Sequence, residues 1–599
     1  MNRRPDPPLA ATNPAPPLAE PRRDAAAGQP DADTARRDDH RLGFWLILAL
    51  AAGLRLPLLL VTQGFDYPFY LSLGRLSDLG FLPFRDYWVE YPPVFPWLAV
   101  LAYRFTLLFP PTLYRQIDLS YHLVLGSVLA VADIVVVALI GAIGLRLWPR
   151  AEVERRMILY AALFWPIVVA IGWYDALPCA MLLLGVWAIL RGRGATGGAL
   201  AGLGFMTKVF PAILVPLAVK FLDRPRDRVA AVAGAALVRA AIAAPLLLLS
   251  PTYFLASYRA VFNRSAWETV WALLEGYTSY GRVAPLGVRF DPTTADYVAF
   301  RARIPTLALT IAFALLYAGF WLRPVARTGR NIVLFAGISI TGFLVYSKGY
   351  SPQFIIYVLP FVLLLLPWRR AVGYCAALSI VNLLEWPLYH EWFSQAFWLL
   401  ALAVIGRTAL FLALIWEWLA ELWGLRNPLA TLRIDRRLAT AGVAVAVVLS
   451  LVLGVVTWRT WTTTFYDTSA LKPAFDFAAR HDPAPADRAA YVFADQDLYE
   501  AFHPFFALGA DFYLLRPDSA GDDTIKHPSL TPEGRRDRMQ AIASGHRQIF
   551  LIRKADDWTS RDLNAWLTDH TRLTAATRVG DADLSVWVVP PPGTRMTPP

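Results

Sequence analysis

The sequence predicts an all-α polytopic membrane protein closed by a C-terminal α/β domain, and three observations carry that prediction. Several apolar runs of about 20 residues are each long enough to cross a bilayer core as a helix. The 599 residues are 56% hydrophobic and only 17% charged, a balance that excludes an ordinary soluble fold. From Thr460 onward the apolar runs give way to short helix-like and strand-like stretches. A net charge of +11 would suit nucleic acid, but the arginines gather at the ends of apolar segments, where membrane orientation requires them. No nucleic-acid partner is expected. The two cysteines, Cys179 and Cys375, both lie inside apolar runs, so no disulfide framework is available and folding rests on packing.

Residues 1–40 are rich in Pro, Ala, Arg and Asp without apolar periodicity and are expected to form a disordered cytoplasmic tail. The run Leu42 to Val61 can span and lacks a small-residue cleavage site, so it reads as a retained helix that opens a membrane domain over residues 41–459. It carries Arg55, either a substrate contact or half of an ion pair inside the bundle, with Asp133 as the available partner. Next comes QGFDYPFYLSLGRLSDLGFLPFRDYWVEYPP, Gln63 to Pro93, too polar for lipid yet wedged between apolar segments. Asp66, Asp78, Asp86 and Glu90 gather there, so carboxylates collect at a membrane surface, which marks either a functional site or a solvated loop.

Val94 to Phe109 is apolar but short, follows a Pro-Pro pair and contains Arg104, so it either spans or lies along the surface. If it does not span, about eleven crossings place the basic clusters at Arg146 to Arg156, Arg191 to Arg193, Arg224 to Arg228, Arg323 to Arg330, Arg369 with Arg370, and Arg426 to Arg437 on one side. The positive-inside rule therefore favours an outer Gln63 to Asp118 region with surface-lying helices. Thr196 to Phe221 has Lys208 and Pro211 in its middle and basic clusters at both ends. Two half-length helices meeting at Thr207, Lys208 and Pro211 keep both ends cytoplasmic, as a re-entrant hairpin. Lys208 then lies deep in the membrane facing an anion, unless it snorkels from a simple loop.

A second outer loop, Ser250 to Arg303, brings aromatics with Arg264, Glu268 and Glu275, either a second wall of the site or solvated charges. A short loop, SKGYSPQF, puts Lys348 at the outer surface. The last span is expected near Leu438 to Val456, with Trp458 as an interfacial anchor. In residues 460–599, LKPAFDFAARH and RRDRMQAIASG read as helices, and AAYVFA, RQIFLIR and LSVWVVP as strands. The crossing parity puts this domain outside the cytoplasm. It has no phosphate loop, metal-ligand spacing or nucleophile motif; Asp495 and Asp497 read as surface residues, and a binding or structural role is expected. No internal repeat and no matching pair of broken helices is present, which weighs against a secondary transporter.

Three pieces taken in order, GFDYPFY with EYPP, TKVFPAILVPL, and SKGYSPQFIIYVLP, resemble the GT-C superfamily of polyprenyl-phosphate-sugar-dependent glycosyltransferases, especially the polyprenol-phosphate mannosyltransferase branch, glycosyltransferase family 87. The likeness covers roughly Arg41 to Val456. It implies a GT-C-like membrane domain and a catalytic Asp66, with a polyprenyl-phosphate sugar as donor and a lipid-linked or glycan acceptor. An adjacent second acidic pair of the usual Asp-Glu type is missing, so the resemblance assigns no role to Asp78, Asp86 and Glu90, which stand as candidates for binding the sugar or the acceptor. Taking a proton from a weakly nucleophilic alcohol needs one carboxylate within hydrogen-bond reach. The departing phosphate needs only cations, for which Lys208, Lys348 and Arg264 are the candidates. Tyr67 and Tyr91 suit stacking on sugar faces or packing at the interface, and Glu268 and Gln353 complete the expected acceptor side. The expectation is an inverting hexosyl, mannose-like transfer at the outer face of a bacterial plasma membrane. No cofactor is expected, the need for a divalent metal being left open. A lipid or sugar flippase and a non-catalytic envelope polysaccharide assembly protein are the alternatives.

Overall fold

The computed structural model describes residues 32–60, 66–78, 80–108, 117–276, 283–284, 286–297, 303–431, 472–481, 489–494, 511–515, 532–555, 561–579 and 582–591, with 444, 448, 452 and 498 besides. The span expected near Leu438 to Val456, and Asp495 with Asp497, lie outside the described residues apart from those isolated positions. By packing, the chain divides into the units Met1–Leu46 and Ile47–Pro599. Helix α1 (Ala32–Arg55) begins in the first, so residues 32–40 of the expected disordered tail are helical, because neither proline nor glycine interrupts the charged stretch before Leu42; the rest of that tail lies outside the described residues.

Five helices among the described residues are long and apolar enough to cross a membrane: Ser120–Gly144, Pro225–Leu249, Gly329–Tyr346, Trp368–His390 and Phe397–Trp423. After α1 come α2 (Tyr67–Asp78) and α3 (Val94–Thr106), which pack on each other, and α3 packs on α4 (Ile117–Gly144). The 13 residues of α3 measure about 20 Å, short of a bilayer core. Arg55 ends α1 and pairs with Asp133 in the middle of α4, its Nε donating at 2.8 Å, and Tyr160 adds a 3.0 Å hydrogen bond to the other carboxylate oxygen. Both charges are buried, and Arg55 also reaches the carbonyls of Ala51 and Ala161. A buried pair tolerates burial only when its remaining donors and acceptors are met in this way.

The chain continues through α5 (Arg150–Ala162), α6 (Phe164–Gly172) and α7 (Ala176–Leu190), the last two separated by a break at Trp173–Asp175. Then α8 (Gly194–Phe205) stops before Lys208, and a short turn leads to α9 (Leu214–Phe221) and α10 (Pro225–Leu249). On α8 a Cβ at Gly194 would strike the Asp227 backbone, one at Gly198 would stand 1.9 Å from the Ala231 carbonyl oxygen, and one at Gly202 2.6 Å from that of Ala235. Only glycine permits this approach. Because both series advance together, α8 and α10 run parallel, and the segment between them doubles back, so its two ends lie at one level.

The Ser250 to Arg303 segment contains α11 (Pro251–Asn263) and α12 (Val270–Glu275); α13 (Thr306–Leu322), with no buried residue, and α14 (Gly329–Tyr346) follow. A buried turn, Pro352–Tyr357, precedes α15 (Leu359–Leu365), α16 (Trp368–Leu383) and α17 (Phe397–Trp423), which Gly424 ends at φ 63°, the left-handed position glycine takes after a helix.

The C-terminal segment folds as a five-stranded sheet of order β2-β1-β3-β5-β4, built from β1 (Ala489–Phe493), β2 (Asp511–Leu514), β3 (Gln548–Lys554), β4 (Arg572–Val579) and β5 (Ala582–Val588). The first three are parallel, while β5 and β4 join antiparallel. Helix α18 (Lys472–His481) covers one face through Phe477, against Tyr491 and Phe550; α19 (Pro532–Gly545) and α20 (Arg561–His570) cover the other through Met539 and Trp566. Burial on both faces makes β1 and β3 continuous apolar runs.

Candidate functional site

Asp66 precedes the first turn of α2, its carbonyl accepting the Tyr70 N–H at 3.0 Å, so the helix that follows fixes its backbone. The half-buried carboxylate accepts hydrogen bonds from the hydroxyls of Tyr70 at 3.3 Å and Tyr91 at 3.4 Å. These bonds are long for hydroxyl donors, so the carboxylate keeps most of its basicity. Burial raises the Asp66 carboxyl to about 6; the Lys208 ammonium and the Tyr70 hydrogen bond oppose that rise, and the carboxylates of Asp175 and Glu90 add to it. Tyr70, Tyr91, Phe95 and Tyr174 form an aromatic wall beside it, with Phe95 and Tyr174 stacked at 3.9 Å.

Lys208 stands at the break after α8, where its N–H donates to the Gly204 carbonyl at 2.7 Å. Its ammonium pairs with Asp175 at 2.5 Å and lies 4.3 Å from the Phe354 ring centroid and 4.9 Å from that of Tyr174. Aromatic faces attract a desolvated cation, which holds the ammonium in place. Tyr357 donates to the same Asp175 oxygen at 2.8 Å, while the other Asp175 oxygen is buried without a hydrogen-bond partner among the described residues. Breaks in the α6–α7, α8–α9 and α14–α15 stretches thus meet around one ion pair. Asp175 escaped the sequence reading, although it is the single acidic or basic residue between Arg156 and Arg191, the pattern that marks an intramembrane functional carboxylate.

The other acidic candidates are tied elsewhere. Glu90 forms a bidentate ion pair with Arg289, whose guanidinium also lies 4.7 Å from the Trp88 ring and donates to the Ala284 carbonyl. Arg289 is a second missed residue, distant in sequence from its partner. Asp86 accepts from the Leu82 N–H at 2.7 Å and from Arg85 at 2.8 Å, closing its own turn. Asp78 ends α2, and its side chain lies outside the described residues. Tyr67 is buried, its ring 4.3 Å from that of His122.

The Ser250 to Arg303 segment and the SKGYSPQF turn are knitted together. The Trp267 N–H donates to the Lys348 carbonyl and the Tyr350 N–H to the Trp267 carbonyl, while the Trp267 indole occupies the space where a Cβ on Gly349 would stand. Arg264 lies over the Trp267 ring at 3.9 Å; burial lowers its guanidinium from the usual value, and the charges of Glu90, Tyr91, Asp66 and Glu268 oppose that. Arg264 therefore shares an electrostatic field with Asp66. Lys348 instead donates to the Phe262 carbonyl near the end of α11, and burial together with Arg264 lowers it to about 8. Glu268 sits at φ 50°, a strained backbone for a non-glycine residue; its carboxylate meets His390 at 3.2 Å, its carbonyl accepts from Arg407, and burial pushes it up to about 8. Gln353 is buried in the Pro352–Tyr357 turn. Among the described residues no three His, Cys, Asp or Glu side chains are grouped so as to hold a metal ion.

No protein-family model matches the chain, and no curated protein matches it. Among solved structures, the apo oligosaccharyltransferase of Archaeoglobus fulgidus aligns over 89% of this chain and 73% of its own at 12% identity and a TM-score of 0.32. The same archaeal enzyme in complex with an inhibitory peptide and a dolichol-phosphate aligns over 94% and 75% at 12% identity and a TM-score of 0.30. Likenesses of this size assign neither fold nor activity.

Proposed function

We propose that this chain is an integral membrane glycosyltransferase that moves a hexose, mannose-like by the motif resemblance, from a polyprenyl phosphate to a glycan or lipid acceptor with inversion. The topology proposed with it has about eleven crossings of a bacterial plasma membrane, with the site and the C-terminal α/β domain outside the cytoplasm. The observation that carries the reading is the pairing of roles at one spot: a half-buried carboxylate with a pKa of about 6 lies in the field of an ammonium seated at a helix break.

In the proposed step the acceptor hydroxyl oxygen attacks the anomeric carbon on the face opposite the phosphate, and its proton passes to Asp66. The bond from the anomeric carbon to the phosphate oxygen breaks, and its electron pair leaves with the phosphate. Lys208 stabilises the growing negative charge, and Arg264 lies within the same field. Asp175, itself fixed by the Tyr357 hydroxyl, holds the ammonium, which keeps the cation preorganised for a phosphate. Lys348 takes part only after leaving the Phe262 carbonyl, so Lys208 and Arg264 bear most of the proposal.

Purified protein incubated with a panel of labelled polyprenyl-phosphate sugars and candidate acceptors tests this reading. Transfer from one donor with inverted anomeric configuration is expected. A product of retained configuration would refute the single displacement, and movement of intact lipid-linked sugar across vesicles without transfer would establish a flippase instead.

A further inference from the structure

The parallel contact of α8 with α10 places one more cation beside the C-terminal end of α8. The contact pairs advance by four residues on each helix, Gly194 with Asp227, Gly198 with Ala231 and Gly202 with Ala235. The next step along both series is Met206 with Arg239. The Arg239 guanidinium lies over the Phe205 ring, 4.1 Å from its centroid, at the last residue of α8. Its Nε is buried without a hydrogen-bond partner, and among the described residues no carboxylate pairs with it. Tyr258 beside it spends its hydroxyl on the Met206 sulfur.

Arg239 also lies deep. It is ten residues from the C-terminal end of α10, about 15 Å along the axis, farther than its side chain can reach to an interface. The helix that carries it is mostly bare of protein, with Leu237 69% and Val232 47% exposed, so Arg239 stands where the packed face of α10 turns into its lipid face. A guanidinium held by an aromatic face but by no carboxylate is costly at that depth, and such residues mark ligand sites. A planar, always charged fork at a lipid boundary matches a phosphate oxyanion bidentately.

We propose that Arg239 binds the phosphate of the polyprenyl donor from the lipid side, opposite Lys208 on the bundle side. The proposal rests on the reading of the chain as a polyprenyl-phosphate-dependent transferase. The prenyl tail then leaves along the bare face of α10, and the sugar points toward Asp66. Bulk phospholipid offers the same phosphate chemistry, so the test separates the two sources.

Full-length protein in nanodiscs is titrated with sugar-free polyprenyl phosphate, with uncharged polyprenol and with phosphatidylglycerol, as wild type, Arg239→Gln and Arg239→Lys. Arg239→Gln is expected to weaken polyprenyl phosphate about ten- to a hundredfold, from the loss of charge-assisted hydrogen bonds. Polyprenol binding should stay the same, Arg239→Lys should recover part of the loss, and donor KM should rise by a larger factor than kcat falls. The ligand-free Arg239→Gln protein should melt little below wild type, because only the contact with the Phe205 ring is lost and no carboxylate is stranded. Unchanged polyprenyl-phosphate binding, or an equal loss for polyprenol, overturns the site. Competition by phosphatidylglycerol at equal concentration assigns it to bulk lipid and overturns the donor role. Phosphate binding through Arg239 without transfer from any donor would defeat the transferase reading alone; transfer that ignores Arg239 would defeat this inference alone.

Discussion

The charge state of Asp66 yields the sharpest quantitative test of the proposed base. A base must be ionised to accept the acceptor proton, and the Asp66 carboxyl, raised by burial to about 6, is therefore inactive on the acid side. With one titration of that pKa, about nine-tenths of the protein is competent at pH 7 and about one-tenth at pH 5, so kcat/KM should fall about tenfold across that interval. An unperturbed aspartate would lose less than about a tenth of its activity there. The position of the limb should answer to the neighbours. Glu90 raises the Asp66 pKa and is itself held by Arg289, so Glu90→Gln removes a carboxylate and releases a cation, and both changes move the limb to lower pH. The assay is transfer of a labelled hexose at subsaturating donor between pH 4.5 and 8, with the wild type and Glu90→Gln compared after a check that both remain folded over the range. A flat profile between pH 5 and 7, or a limb that moves upward in Glu90→Gln, would refute the assignment of the acid limb to Asp66.

Asp66→Asn keeps the shape and removes the proton acceptor, so transfer should drop by roughly two to four orders of magnitude with donor binding little changed, read by single-turnover kinetics beside a binding titration. Lys208→Met should abolish transfer while the detergent-extracted protein stays folded; near wild-type turnover would leave Lys208 as a structural partner of Asp175 only. Asp133→Ala strands Arg55 in the bundle and should cost about 3–5 kcal/mol in a reversible unfolding assay, whereas Arg55→Leu combined with Asp133→Leu should recover much of that. A periplasmic-type reporter fused after Pro599 should be active, and an active cytoplasmic reporter there would overturn the proposed topology.

What could be read from the sequence was whatever a single segment declares by itself. Arg55 and Asp133 each sit alone in an apolar run, so their pairing followed from cost. The doubling back around Lys208 followed from basic clusters at both ends of one segment. β1, β3 and β5 showed as apolar runs because each is buried within the sheet. β4 did not, since most of its residues are exposed or half-exposed and its alternation is faint, and β2 has only four residues. Arg289 could not be paired with Glu90 because 199 residues separate them and no local pattern links a loop arginine to a loop glutamate. Asp175 was legible in principle: it lies alone in an apolar stretch, but it falls at a break between two helices that reads as one continuous run.

The placement of Lys208 shows why the site depends on small residues far from any chemistry. The break after α8 is useful only if α8 ends at a fixed height and rotation, and along most of the contact α8 and α10 meet through small residues. The backbone contact of Gly198 with Ala231 and of Gly202 with Ala235 sets them instead, because a fit that leaves no room for one methyl group allows no slip of register. From that lock follow the position of the Gly204 carbonyl, which accepts the Lys208 N–H just past the helix end, and that of Arg239, four residues beyond Ala235 on α10. A methyl group at Gly198 would therefore act at a distance: the helices must part, the ammonium moves away from Asp175 and the Tyr174 ring, and the field that opposes the rise of the Asp66 pKa weakens. Gly198→Ala should accordingly shift the acid limb of transfer upward, in the direction opposite to Glu90→Gln. That opposition of signs from two residues that never touch the substrate separates an electrostatic site from a merely fragile one, since general loss of packing would lower activity at every pH and leave the limb where it was.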